Sequence, residues 1–209
     1  MDKAVVLLSG GLDSTTCLAL AQQKQLELYA ISFDYGQKHN VELEAAKKIA
    51  KKFQVKEHCI IPIKLPDSST TSLINQDLQV PEYSKTKSIP NTYVPARNTI
   101  FLSYALNLAE SINAKSIWIG CSSVDYSGYP DCRPEFIKAF NNLINLSIKI
   151  TIEAPLMYLS KAETIKLGHS LGVDYTKTIS CYNATLEKSA CGYCDSCILR
   201  EQGFKALNN

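Results

Sequence analysis

Five consecutive apolar residues, Ala4–Leu8, run directly into Ser9-Gly10-Gly11-Leu12-Asp13-Ser14-Thr15-Thr16. A continuous apolar run of this kind reads as a strand buried on both faces, which places it inside a parallel sheet. The chain must then turn at once and enter a helix, predicted over Ser14–Lys24. Gly10 and Gly11 allow backbone angles and a close approach that side chains would block. Successive amides in such a turn, with the positive end of the following helix, form an anion nest. Ser9, Ser14, Thr15 and Thr16 add hydroxyl donors. No Gly-Lys-Ser/Thr follows, so this is not a Walker loop, and the glycine spacing is not that of a dinucleotide fingerprint. A plain turn capped by Asp13 or Ser14 is the simpler alternative, but it leaves the rest of the string unexplained.

Strand-like and helix-like segments then alternate. Further strands are predicted over Leu28–Phe33, His58–Ile63, Ser116–Gly120 and Lys149–Glu153, and helices over Lys38–Lys52, Asn98–Ile112, Pro134–Leu146 and Ser160–Leu171. The last helix opens with SKAE, a capping box between Ser160 and Glu163. Repeated βα units imply an α/β fold: a Rossmann-like, five-stranded parallel sheet with helices on both faces and right-handed crossovers. Ligands of such sheets bind beyond the carboxyl ends of the strands, so the loops at 9–16, 92–98 and 121–133 are expected on one rim. The polar stretch Pro66–Pro90 reads as a lid or substrate loop, with a flexible connection as the alternative.

A chain of 209 residues, 45% hydrophobic, holds one sizeable core and a small appendage. The expected division is a catalytic α/β unit over 1–175 and a C-terminal metal-binding segment over 176–209. A net charge of +2 is too weak to indicate a nucleic-acid surface. The opening apolar run is shorter than the ~7–15 residues of a signal-peptide core or the ~20 of a membrane span. The expectation is a cytoplasmic protein without direct nucleic-acid or membrane partners.

Of the eight cysteines, four are scattered (Cys17, Cys59, Cys121, Cys132) and four crowd the end as Cys181-x9-Cys191-x2-Cys194-x2-Cys197. Clustering of this kind favours a metal over disulfides. Four thiolates complete a tetrahedral zinc shell with no open position, so the ion would be structural. An iron–sulfur cluster is the rival, although the x3-Cys-Pro of ferredoxin-like ligation is missing.

Two further loops carry recognition chemistry. Arg97 in NTYVPARN suits a carboxylate or phosphate, or else a surface ion pair. DYSGYPDCR supplies Asp125, Tyr126, Tyr129, Asp131 and Arg133. Tyrosines stack on planar rings and aspartates accept from a guanidine-like edge, an inventory that fits a purine-like substrate. Lys161, after PLMYLS, either approaches a leaving pyrophosphate or is solvated at a helix start, where a positive charge is unfavourable.

SGGLDSTT resembles the signature of the PP-loop ATP pyrophosphatases, which split ATP into AMP and pyrophosphate to activate an oxygen. With FDYGQKH, PNTYVPARN, VDYSGYPDCRPEF, PLMYLSKAET, SCYN and CGYCDSC following in order, nearly the whole chain resembles the QueC family of 7-cyano-7-deazaguanine synthases. The resemblance implies an adenine nucleotide alpha hydrolase-like fold and an ATP-dependent carbon–nitrogen ligase. Its substrates would be 7-carboxy-7-deazaguanine and ammonia, and its product a nitrile precursor of the tRNA nucleoside queuosine. ATP would lie along Leu8, Ser9, Gly10, Gly11, Leu12, Asp13, Ser14, Thr15, Thr16, Cys17 and Leu18, with Asp13 acting through Mg2+. Asp13, Ser14 and Lys161 would be catalytic. Arg97, Asn98, Asp125, Tyr126, Tyr129, Asp131 and Arg133 would bind the deazaguanine. Cys181, Cys191, Cys194 and Cys197 would hold one structural Zn2+, and the assembly is often a homodimer. Ala96 departs from the glycine common in the family's VPGRN, and Cys121-Ser122-Ser123 replaces a variable stretch. The rival readings are a PP-loop tRNA sulfurtransferase, which needs a persulfide cysteine or iron–sulfur cluster, and a non-catalytic nucleotide-binding module.

Overall fold

The computed structural model describes residues 1–38, 41–65, 71–84, 89–124, 129–184 and 190–207. Five parallel strands, β1 (Lys3–Leu7), β2 (Glu27–Asp34), β3 (Glu57–Pro62), β4 (Ser116–Trp118) and β5 (Thr151–Glu153), form one sheet in the order β3-β2-β1-β4-β5. Among the described residues six α-helices accompany them: α1 (Leu12–Gln23), α2 (Val41–Lys52), α3 (Arg97–Ser111), α4 (Pro134–Ile144), α5 (Lys161–Ser170) and α6 (Asp195–Lys205). The chain winds outward from β1 to β3, then returns to place β4 on the other side of β1. The strand order therefore reverses between β1 and β4, where open α/β sheets form their ligand crevice.

The apolar run behaves as its composition requires. Ala4, Val5 and Val6 have no exposed surface. Val5 and Leu7 pack on one face with Leu102, Ile117 and Phe140, whereas Ala4, Val6 and Leu8 pack on the other with Leu18, Ile49 and Ile165. Both faces are thus covered, as a parallel sheet demands.

Several boundaries moved for local reasons. α1 starts at Leu12 with Gly11 as its N-cap, so Asp13 and Ser14 lie inside the first turn and do not cap it. α2 begins at Val41, and the predicted start at 38–40 runs into residues 39–40, outside the described set. Ala96 precedes α3 with φ 54°, the left-handed backbone that glycine takes freely and an L-residue takes at about 1 kcal/mol; this is the position where the family commonly carries glycine. The capping box of α5 is present, with Glu163 N–H donating to Ser160 Oγ at 3.3 Å and Ser160 N–H donating to Glu163 Oε2 at 2.8 Å. α6 was not anticipated. It buries only Asp195, Cys197 and Gly203, so it shows no apolar stripe for periodicity to find.

Packing crosses the expected boundary at 175/176. Ile179 N–H donates to the Gly10 carbonyl at 2.9 Å. Arg200 donates to the Tyr175 carbonyl at 2.7 Å and to Thr178 Oγ1 at 2.8 Å. α6 lies so close to α5 that a Cβ on Gly203 would sit 2.7 Å from Lys161 Cγ. Of the long polar stretch, 66–70 and 85–88 lie outside the described residues. Its described part is tied down by Leu73 in the core, by Val80 against the terminal cysteines, and by Tyr83 N–H donating to the Tyr193 carbonyl at 2.9 Å.

Candidate active site

A cavity of about 300 Å³ opens over the carboxyl ends of β1, β2 and β4. The loop after β1 forms one wall. Gly10 has φ +87°, and a Cβ there would collide with the backbone of Glu42 and lie 2.8 Å from the Ala46 nitrogen. Only glycine lets the loop pass beneath α2. Gly10→Ala is expected to destabilise the protein by about 3 kcal/mol, combining left-handed strain with overpacking, and to raise the KM for ATP. Denaturant titration and initial rates check both.

Hydroxyls organise this loop internally. Ser14 Oγ accepts from Ser9 N–H at 3.2 Å and lies 3.0 Å from Ser9 Oγ, while Gly11 N–H donates to Ser9 Oγ at 3.2 Å. Thr15 Oγ1 donates to the Gly11 carbonyl at 2.7 Å. Leu12 N–H donates to Ser180 Oγ at 3.2 Å, so the C-terminal segment helps to hold the loop. Leu8, Ser9, Gly11, Leu12, Asp13 and Ser14 line the cavity. Thr15, Thr16, Cys17 and Leu18 do not: they are buried, and Thr16 Oγ1 lies 2.7 Å from Tyr175 Oη beneath the loop. One turn into a helix, side chains already face the core.

Asp13 and Lys161, 148 residues apart, form the site's ion pair, with Lys161 Nζ at 2.7 and 2.8 Å from the two carboxylate oxygens. Lys161 is the first residue of α5, where the helix dipole disfavours a cation; the Asp13 carboxylate offsets that.

Arg97 stands beside the aromatic wall, donating to Tyr35 Oη at 3.5 Å with its guanidinium 6.0 Å from the Tyr35 and Phe101 ring centres. Tyr129 lines the same cavity, stacks on Tyr93 and shares a 2.7 Å hydrogen bond with Thr92. Asn98 lines the cavity too, and its side chain and backbone N–H bind Asp131. Asp131 is buried and joins the 129–133 loop to α3; it does not line the cavity. Arg133 is exposed and outside it. Asp125 and Tyr126 lie outside the described residues.

Several cavity residues escaped the sequence reading, Glu42 and Tyr182 among them. Glu42, in the first turn of α2, lines the wall, where burial pushes its carboxyl up to about 7 against the opposing pull of Arg97. On a helical wheel it resembles its exposed neighbour Glu44; the usable signal was its place just after the β2 end, on the rim that strand order selects. Tyr182 is beside Cys181. Cys121 and Cys132 also line the cavity, but burial pushes both thiols up, Cys132 to about 11. Neither is a thiolate at neutral pH, which disfavours sulfur transfer through them.

The Sγ atoms of Cys181, Cys191, Cys194 and Cys197 lie within 4.8 Å of one another, with Cys191 and Cys197 at 3.9 Å. Tetrahedral Zn–S bonds of about 2.3 Å put sulfurs about 3.8 Å apart, so the set fits one ion. Cys181 Sγ also accepts from the Asn183 and Cys191 amides at 3.2 Å, as a thiolate ligand would. All eight cysteines are free of disulfides.

The family profile described as "Queuosine biosynthesis protein QueC" matches residues 3–208. The chain belongs to the QueC family. Among its relatives, the 7-cyano-7-deazaguanine synthase of Coxiella burnetii (strain RSA 331 / Henzerling II) is 60% identical over 212 residues, covering 98% of this chain and 94% of the relative. The synthase of Legionella pneumophila subsp. pneumophila (strain Philadelphia 1) is 55% identical, covering 99% and 93%. Solved structures that share the fold include a 4-thiouridine synthetase–RNA complex with bound ATP (TM-score 0.57, 17% identity, 99% of this chain and 51% of that one). NMN synthetase from Francisella tularensis is another (TM-score 0.51, 19% identity, 93% and 70%). At such identities these two speak for the fold alone, and this QueC chain has the five-stranded parallel sheet expected of it. Among the described residues no helix is long and apolar enough to cross a membrane.

Proposed function

We propose that this protein converts 7-carboxy-7-deazaguanine and ammonia into 7-cyano-7-deazaguanine with two ATP, each split to AMP and pyrophosphate. Beyond family membership, one observation carries the reading. A single cavity holds the phosphate loop with its Asp13–Lys161 pair and also Arg97 among the tyrosines. A nucleotide and a planar anion would meet there.

A carboxylate is a poor electrophile. Its oxygen attacks the α-phosphorus of ATP, pyrophosphate leaves, and ammonia displaces AMP to give the amide with loss of a proton. The amide oxygen is adenylated in turn. Pyrophosphate leaves again, and loss of AMP and both amide protons then gives the nitrile. The loop amides and Lys161 would stabilise the departing pyrophosphate, Ser9 and Ser14 would fix the loop, and Arg97 would hold the substrate anion. Asp13 is the carboxylate that would hold magnesium, which would offset phosphate charge when bound. Zinc on the four cysteines would be structural. The same reading makes the enzyme cytoplasmic, where free thiols persist, and homodimeric, which sedimentation tests.

Proton removal needs a base, and Glu42 has the matching acidity. Glu42→Gln is expected to lower kcat about 10²-fold and to remove the acid limb of the pH–rate profile near 7. Stability gives an independent sign. A carboxyl raised to about 7 costs nothing below its ordinary value of about 4.5 and destabilises increasingly as pH rises through 7. The glutamine variant should therefore melt higher than wild type at pH 8, by the equivalent of about 3 kcal/mol, and not at pH 4.

The activity itself is tested with purified protein, ATP, magnesium, ammonia and the carboxy-deazaguanine, with the nitrile measured by mass spectrometry. No product from zinc-replete protein would sink the assignment.

A further inference from the structure

Asp195 is the first residue of α6, between two of the terminal cysteines, yet it lines the cavity. It is 6% exposed, and its Oδ1 has no hydrogen-bond partner. The carboxylate accepts a hydrogen bond from the Ser84 backbone, which leaves the other side unmet. An orphaned carboxylate oxygen in a buried place is costly, and native structures rarely keep one without a reason. Asp195 also belongs to the wall of a cavity, so a ligand seated there is the candidate donor.

The neighbourhood narrows what that ligand presents. Tyr129 feels both the positive charge of Arg97 and the negative charge of Asp195, and Tyr182 hydrogen-bonds to Tyr129. A planar ring among these side chains meets a cation and an anion. A carboxylate group on that ring is repelled by Asp195 and drawn to Arg97. The ring's N–H edge suits Asp195, because an ionised carboxylate only accepts. A 2-aminopyrimidinone ring carries adjacent N–H and amino donors on one edge, which is the complement required.

We propose that Asp195 reads the N1–H and 2-amino edge of the deazaguanine, so that the cysteine-bound segment sets substrate specificity as well as stability. This rests on the activity proposed above. Because Asp195 is flanked by Cys194 and Cys197, the cysteine site would position the reading group directly.

The test uses zinc-loaded protein, the carboxy-deazaguanine, and its analogue lacking the 2-amino group. Wild type should favour the amino compound by about 10²-fold in kcat/KM, the size of a charged hydrogen bond. Asp195→Asn keeps an acceptor for the Ser84 N–H but turns a donor towards the ring. It should raise KM for the amino compound about 10²-fold, with a much smaller change in kcat, and erase the preference, at unchanged zinc content. Wild-type preference retained by the zinc-loaded variant would overturn the proposal. So would a wild-type enzyme indifferent to the 2-amino group, a result that does not depend on how the variant folds. If wild type makes nitrile from neither compound, it is the activity that fails, and the specificity with it.

Discussion

Asp13→Ala is expected to cut AMP release by about 10³-fold while the protein stays folded. The argument begins with charge. Asp13 faces the cavity from the first turn of α1, where a bare carboxylate would repel a triphosphate. Lys161 bridges both of its oxygens and cancels that repulsion, while Asp13 in turn fixes the ammonium at the loop. Removing the carboxylate releases the group that aims Lys161 at this point. Preorganised charge near a leaving group is worth about 10²–10³ in rate, and any magnesium held by Asp13 adds to this. Lys161→Ala should cost about 10²-fold. If the two act as a unit, the double variant costs no more than the worse single. Stability should change little. Asp13 caps nothing, and the helix is anchored by Cys17, Leu18 and Ala21. A partly exposed ion pair contributes about 1 kcal/mol, or 2–4 °C of Tm. Wild-type AMP release from Asp13→Ala would remove the pair from the mechanism.

The pairing also shows which information the sequence carries. The sheet was legible because a two-face-buried strand must be apolar throughout, and Ala4–Leu8 is. The loop was legible because glycine is the residue that passes under α2 without collision. Lys161 was legible only as a charge in an awkward place; its reason lay 148 residues away in Asp13. Polar residues in one loop look alike on paper. Asp131 and Tyr129 were equal candidates, yet Asp131 binds the start of α3 while Tyr129 lines the cavity.

Glu42 and Asp195 were invisible for a different reason. Each sits in the first turn of a helix, where an acidic residue is ordinary because it suits the dipole. Nothing local distinguishes a carboxylate that faces solvent from one that faces a cavity. Only the crossover order, which sets α2 and α6 around the same rim, makes that distinction.

Cys194→Ser is expected to release the metal and to disable the active site together. Cys194 has no exposed surface and is the N-cap of α6. With one sulfur gone, three ligands remain for an ion that structural sites hold with four. Zinc should fall from one equivalent to below about 0.1. Because metal binding is folding energy in such segments, a loss of about 3–4 kcal/mol is expected, which lowers Tm by about 10 °C in a chain of this size. The damage should not stay at the terminus. Arg200 of α6 holds Tyr175, Thr178 and Ser180, and Ser180 receives the Leu12 N–H at the start of the phosphate loop. Gly203 of the same helix lies against the stem of Lys161. Loosening α6 therefore loosens the loop and its lysine, and the KM for ATP should rise along with the loss of zinc. Metal analysis, thermal melting and initial rates on one preparation check the three effects. Stoichiometric zinc retained by the serine variant would contradict the four-ligand site. Zinc lost with unchanged ATP kinetics would show instead that the segment folds apart from the catalytic rim.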